Sequence, residues 1–252
     1  MPGVSPKMGR IPRGGRRGKA GGVAKRRLPV SLQAREVDWL RTLPVTAAKV
    51  LRRASTVRDH QAGELVFSPS RDPTHVHVLV NGLVRLFRLT PTGEEFTLRY
   101  VRPGELFGEV SVLRERPREA FAQTRVASKI LNTPRAAFVA TLRAHNPVLY
   151  ALAKTIAGRV VDYQSRAEDL VFLDARRRLA RFLLRTATKN DQRDGEGLTV
   201  GLSLTHAEIA SVIGTSRQTV TLHLNEFSRA GLITRRGRQL DLADPARLQA
   251  IG

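Results

Sequence analysis

No cysteine occurs in the chain, which excludes disulfides, iron–sulfur ligation and cysteine-held zinc. No apolar run approaches the roughly 18 residues that a membrane-spanning helix needs. The first residues lack the apolar core of a secretory signal, so a cytoplasmic protein is expected. Acidic residues are scarce: 22 Asp and Glu stand against 43 Lys and Arg, a formal net charge of +21. Such an excess draws a protein to polyanions, nucleic acid first and anionic membrane second. No nucleophile–base pairing, metal cluster or phosphate-binding loop stands out, so no enzymatic activity, cofactor or metal is expected.

The charge that is present is uneven. Residues 1–28 hold nine Lys or Arg and no acid, among many glycines, and the remainder of the chain still carries +12. Residues 1–30 cannot bury enough apolar surface to offset their ordering entropy, so a disordered basic arm is expected. It is either a dispensable tail, or a start set too far upstream, or an arm touching DNA phosphates. The 252 residues suffice for two domains.

A short amphipathic helix is expected from Ser31 to about Arg41, after which residues 60–130 change character. Alternating runs at Glu64–Phe67, His75–Val80, Leu83–Leu89 and Phe96–Tyr100 are separated by turn residues, notably Asn81-Gly82, Pro91-Thr92-Gly93 and Pro103-Gly104. Short strands with glycine turns point to a small antiparallel barrel or sandwich.

From Pro147 the period changes to that of a helix, with proline at a tolerated first position. Leu149, Leu152, Ile156, Val160, Tyr163, Ala167 and Leu170 recur at steps of three and four. A helix of 24 residues would run about 36 Å. Its single narrow stripe suits the seam of a two-helix homodimer better than packing on its own domain. A break is expected near Phe172-Leu173-Asp174, with a second helix from Ala175 to about Ala187 carrying Leu179, Phe182 and Leu183. Polar, glycine-containing Lys189–Gly197 then reads as a loop.

Residues 203–233 are the most informative stretch. Thr205 with Glu208 three residues on forms a capping box that opens a helix. Ile209 and Ala210 face inward, Gly214 supplies a tight turn, and Ser216 caps a second helix. That helix has Val220, Leu224 and Phe227 on its core side and ends at Gly231. The set at this spacing is the helix-turn-helix pattern. Its outward face then carries Ser216, Arg217, Gln218, Thr221, Leu222 and Asn225, mostly near the helix start, where a recognition helix meets base edges.

Arg217 has the planar fork for guanine O6 and N7, Gln218 can pair bidentately with adenine, and Leu222 can pack on a thymine methyl. Ser216, Thr219, Thr221 and Asn225 are assigned to the sugar–phosphate backbone. Two short strands between Leu232 and Leu242 form a wing whose Arg235, Arg236 and Arg238 suit phosphates. His223 stands where an aliphatic residue is usual and is expected to be partly buried.

From about residue 50 to residue 242 the sequence resembles the CRP/FNR family of bacterial regulators. The carriers are VLVNGLVRLF, RYVRPGELFGEVSVL, NPVLYALAKTIAGRVV followed by FLDARRRLARFLL, and the helix-turn-helix. The resemblance implies an α+β fold: an N-terminal β-roll of the cyclic-nucleotide-binding type, a long dimerisation helix and a C-terminal winged helix-turn-helix. The corresponding divisions are 1–30 (arm), 31–145 (sensor), 146–172 (dimerisation helix) and 173–252 (DNA-binding domain). It also places Arg217 at the family's guanine-reading arginine, while Gln218 stands where many members have glutamate.

The family's effector pocket maps by resemblance onto Gly108, Glu109, Arg118 and Glu119, with Tyr163 and Gln164 on the long helix. Glu119 replaces a phosphate-binding serine. A carboxylate a few ångströms from a phosphate repels it by roughly 4 kcal/mol at an effective dielectric near 20. Tyr163 and Gln164 replace small hydroxyl residues. A regulator without a small-molecule effector is therefore expected, with cyclic-AMP dependence as the alternative. His75 and His77, two apart on one strand, are read as surface residues, with haem ligation the competing reading. The functional expectation is a homodimeric, sequence-specific DNA-binding activator that touches RNA polymerase. The competitor from another class is a charge-driven, non-specific nucleoid binder.

Overall fold

The computed structural model describes residues 39–189, 198–200, 204–236 and 239–252. The basic arm, most of the helix expected over residues 31–41, the loop 190–197 and Arg238 lie outside the described residues. Of that helix, only a short 3-10 turn at Trp39–Thr42 falls within them.

Among the described residues, eight strands, three short helices and the start of a long fourth helix build the first body. The elements run α1 (Val45–Ala54), β1 (Thr56–His60), β2 (Leu65–Phe67), β3 (His75–Asn81), β4 (Val84–Leu89), β5 (Glu95–Val101) and β6 (Leu106–Phe107). A short helix α2 (Glu109–Leu113) precedes β7 (Phe121–Thr124) and β8 (Ser128–Pro134). The strands form two four-stranded antiparallel sheets, ordered β1-β8-β3-β6 and β2-β7-β4-β5. The four runs read from alternation are β2 to β5, each bounded within a residue or two of its expected limits.

Leu79, Val84, Val101, Phe107, Ala122 and Ile130 fill the space between the sheets. The outer side of the first sheet is covered by α1, by α3 (Arg135–Ala144) and by the start of α4 (Asn146–Phe172), with Trp39, Leu51, Phe138 and Leu152 fully or nearly fully buried there.

The α4 helix is longer than its periodic stripe, with Pro147 in its first turn and an extended Leu173 ending it. The stripe divides in two. Leu152 is only 2% exposed and belongs to the core of its own chain, which corrects its assignment to a dimer seam. Leu149, Val160, Tyr163 and Leu170 are between 43% and 50% exposed, and Ile156 is half-buried. The difference is angular: residue 152 sits about 60° around the helix from residue 149, which turns it toward α3.

The second body follows the break at Leu173. It comprises α5 (Ala175–Thr186), β9 (Ala187–Lys189), β10 (Leu198–Val200), α6 (His206–Ile213), α7 (Arg217–Arg229), β11 (Ile233–Arg236), β12 (Gln239–Leu242) and α8 (Pro245–Gln249). Asp174 caps α5 by accepting from the Arg177 backbone N–H, a structural role. Lys189, expected in a loop, instead ends a strand paired with β10. The sheet β11-β12-β10-β9 and helices α5 to α8 enclose Leu179, Leu183, Ile209, Val220, Leu224, Phe227 and Leu248. No helix among the described residues is long and apolar enough to cross a membrane.

Candidate DNA-reading face and sensor pocket

The reading face begins with two helix caps. The Thr205 hydroxyl accepts from the Glu208 backbone N–H while the Glu208 carboxylate reaches back to the Thr205 N–H, so the expected capping box is complete. Gly214 ends α6 at φ +65°, a left-handed conformation that favours glycine, and a Cβ there would lie 2.9 Å from Leu170 of α4. Ser216 then caps α7 by accepting from Thr219 N–H at 3.1 Å. Because Val220, Leu224 and Phe227 are wholly buried, the opposite side of α7 is fixed toward solvent.

On that side Arg217, Gln218, Thr221, Leu222 and Asn225 line one shallow concavity. Leu222 is 56% exposed, a large apolar side chain with no cover of its own. Asn225 Oδ1 accepts from Arg235 of β11 at 3.0 Å, which ties the wing to the recognition helix. Arg236 lies at the end of β11, next to the wing tip. Ser216 and Thr219 hydroxyls bond to each other at 2.8 Å beside the helix start. His223 is half-buried, as expected, with Nδ1 2.9 Å from Glu226.

The sequence pattern does not single out His206, yet its Nδ1 lies 2.8 Å from the Thr221 hydroxyl, at the margin of the reading face. Its signal was only its place directly after the capping Thr205.

The reading head is not free of the β-roll. Ser211 of α6 donates to the Glu95 carbonyl at 2.6 Å and accepts the Thr97 N–H at 3.0 Å. Arg125 pairs with the buried Glu208. These contacts use the side of α6 facing β5 and leave the α7 concavity open. A second set fixes the break after α4: Asp169, buried in its last turn, pairs with Arg181 at 2.6 Å and Arg185 at 2.9 Å, both on α5.

The residues expected to form an effector pocket are engaged within the chain. Gly108 caps α2 at φ +78°, and a Cβ there would meet Arg118 at 2.8 Å and His77 at 3.1 Å. The Arg118 guanidinium, nearly fully buried, donates to the carbonyls of Gly108 and His75 and stacks on Phe67. Burial lowers its pKa to about 10, partly offset by the charge of Glu109. Glu109 is 1% exposed and pairs through Oε1 with Arg159 of α4, while its Oε2 is buried without a partner.

Glu119 lies at the surface, half-exposed, with Arg88 and Arg114 as partners, and so is neutralised there. Tyr163 lines a groove of about 1260 Å³ between α4 and β5, whereas Gln164 is exposed and outside that lining. Arg99 and Arg166 cross this groove: Arg99 donates to Glu105 and to the Leu106 carbonyl, and Arg166 to the Leu98 carbonyl at 2.6 Å. Arg159 and Arg166 stand seven apart on the side of Leu152, charged positions along the edge of the apolar stripe that the sequence displays without naming a partner.

His77 corrects the surface reading of the histidine pair. It is buried between the rings of Phe67 and Phe107 and bonded through Nδ1 to Asn132 at 2.7 Å. Burial pushes its pKa down to about 3, against the opposing Asn132 bond. Both faces of this inner strand are covered, Val76 and Val78 packing with the helical layer and Leu79 between the two sheets. Among the described residues no group of three or more His, Asp or Glu is placed to hold a metal ion.

Comparison with known proteins agrees with this geometry. Residues 57–145 match the cyclic nucleotide-binding domain family and residues 177–251 the Crp-like helix-turn-helix domain family. The chain is 29% identical over 190 residues to the CRP-like cAMP-activated global transcriptional regulator of Mycobacterium tuberculosis, spanning 75% of this chain and 85% of that one. It is 32% identical to the cyclic AMP receptor protein of Thermus thermophilus over 70% of this chain and 78% of that one. A solved CRP/FNR-family transcriptional regulator from Thermus thermophilus superposes with a TM-score of 0.63 at 26% identity, covering 78% of this chain and 97% of that one.

Proposed function

The chain belongs to the CRP/FNR family of transcription regulators, and from that premise we propose that it acts as a homodimer reading a two-fold-symmetric DNA site without a small-molecule effector. The observation that carries the DNA reading is the solvent-facing concavity of Arg217, Gln218, Thr221, Leu222 and Asn225 on a doubly capped helix. Arg217 and Gln218 read base edges, Leu222 packs on a thymine methyl, and Ser216, Thr219, Asn225 and the wing arginines Arg235, Arg236 and Arg238 hold the backbone, while the Thr221 hydroxyl is committed to the Arg217 carbonyl.

The exposed Leu149, Val160, Tyr163 and Leu170 on a 27-residue helix support the dimer, since apolar side chains at this spacing are covered when two such helices pair. Half-sites then lie about one helical turn, roughly 34–36 Å, apart. Residues 31–145 serve as the β-roll body, 146–172 as the dimerisation helix and 173–252 as the reading head.

Effector independence rests on the sensor. Arg118, which would hold a cyclic phosphate, is committed to two carbonyls, and Glu109 is committed to Arg159. The residues present do not fit a cyclic nucleotide without breaking buried bonds. The two relatives named for cyclic AMP motivate the direct test: calorimetric titration with cyclic nucleotides, beside a DNA site selection. Absence of nucleotide binding, together with a selected palindrome, supports the reading. Micromolar cyclic-AMP binding overturns effector independence. A chain acting on chromosomal DNA works in the cytoplasm, and at promoters it acts as an activator touching RNA polymerase, which transcription from a promoter bearing the selected site tests.

A further inference from the structure

His206 sits at the first position of α6, against the recognition helix, and its hydrogen bonding fixes which of its nitrogens is free. The Thr221 hydroxyl donates its single proton to the Arg217 carbonyl at 2.9 Å. With its proton on the Arg217 carbonyl the hydroxyl accepts from His206, 2.8 Å away, the arrangement in which the imidazole carries its proton on Nδ1. In the neutral ring this leaves Nε2 as a lone pair, and among the described residues nothing bonds it. Two reading-face cations, Arg235 of β11 and Arg217 of α7, act electrostatically on the half-buried ring. On its own helix the nearest acid, Glu208, is turned to Thr205 and Arg125.

We propose that His206 is a DNA-phosphate contact that takes up one proton per protomer when DNA binds. This rests on the DNA-binding reading above and adds to it a residue and a linkage. A phosphate oxygen only accepts hydrogen bonds, so a neutral ring with its proton on Nδ1 has nothing to offer it. Donation from Nε2 while Nδ1 remains on Thr221 requires the imidazolium. In the free protein burial, then Arg235 and Arg217, hold the ring's pKa below the ordinary histidine value. A DNA backbone on this face neutralises those two cations and supplies the anion, reversing both electrostatic causes.

The sign follows. With the bound-state pKa above the free one, affinity rises as pH falls between the two values. The gain is up to about tenfold per protomer for each pH unit, the limit set by one proton taken up. Fluorescence anisotropy titrations of the full chain on a random-sequence duplex, from pH 5.5 to 8.5 at fixed salt, measure it against His206→Gln. A random duplex suffices because phosphate contacts are sequence-independent. The wild type should show the steeper loss of affinity with rising pH, and at low pH a salt slope larger by roughly 0.9 per protomer. Equal pH slopes in the two proteins overturn the inference.

Nitrogen NMR of histidine-labelled wild-type protein gives a readout that does not depend on the variant. A neutral Nδ1–H ring in the free protein that becomes imidazolium on the duplex supports the proposal. An Nε2–H ring, or a ring unchanged by DNA, refutes it. If neither protein binds the duplex, the DNA-binding reading itself fails, and this inference with it.

Discussion

Replacing Arg159 with methionine keeps most of the side-chain volume of α4 but removes the direct cationic partner of Glu109. Glu109 is 1% exposed, so bulk solvent cannot replace the lost partner. Removing one member of a buried pair typically costs about 3–5 kcal/mol, because the survivor stays buried and uncompensated. The Arg159 side chain is 17% exposed, which admits some solvent and points to the lower end, about 3 kcal/mol. Glu109→Gln alone removes a charge but leaves Arg159 partly hydrated and still bonded to the Leu106 carbonyl, so it should cost less.

In the double variant neither charge is stranded, and the losses should fall short of their sum by roughly 0.5–3 kcal/mol. Urea unfolding followed by circular dichroism, with a constant denaturant slope across the four proteins, measures all of these. Arg159→Met within about 0.5 kcal/mol of wild type, or strict additivity in the double variant, would refute the claim that α4 is latched to the sensor through this pair.

Three further outcomes follow from the same geometry. Arg217→Ala should remove roughly 1–3 kcal/mol of discrimination at one base pair of each half-site; a site selection that returns an unchanged consensus contradicts the assignment. Val160→Glu places a charge on an exposed apolar stripe, so sedimentation should show monomers while the circular dichroism of the fold persists; an unchanged dimer contradicts the seam. His77 has a folded pKa of about 3, far below its unfolded value near 6.5, so the unfolded chain protonates first as pH falls. Its contribution is intact above pH 6.5 and is lost at up to about 1.4 kcal/mol per pH unit below it. Histidine NMR should find this ring neutral at pH 5, and a cationic ring there contradicts the buried environment.

The features that sequence displayed best are local ones. Thr205 with Glu208, Gly214 and Ser216 act within one helical turn, so their spacing determines their hydrogen bonds, and each is found in its expected role. The β3, β4 and β5 strands are similarly marked, each followed by a turn of two to five residues. What sequence hid is non-local. Periodicity places Leu152 and Val160 on one apolar stripe but does not say which is covered within the chain and which stays exposed. Alternation puts His77 on a strand face without revealing the Phe67 and Phe107 rings on either side of it. Glu119 looks like a carboxylate aimed at a phosphate until Arg88, 31 residues earlier, is seen beside it. Arg159 meets Glu109 across 50 residues of chain, and no local rule pairs them.

The central claim is that this reading head recognises a sequence by itself, without a nucleotide. Anisotropy titration of the purified, nucleotide-free protein on its selected duplex and on a scrambled duplex, at one moderate salt concentration, tests it most directly. Binding to the selected site should be at least roughly thousandfold tighter, unchanged by added cyclic AMP. Equal affinity for both duplexes, or preference that emerges only when cyclic AMP is added, would contradict it.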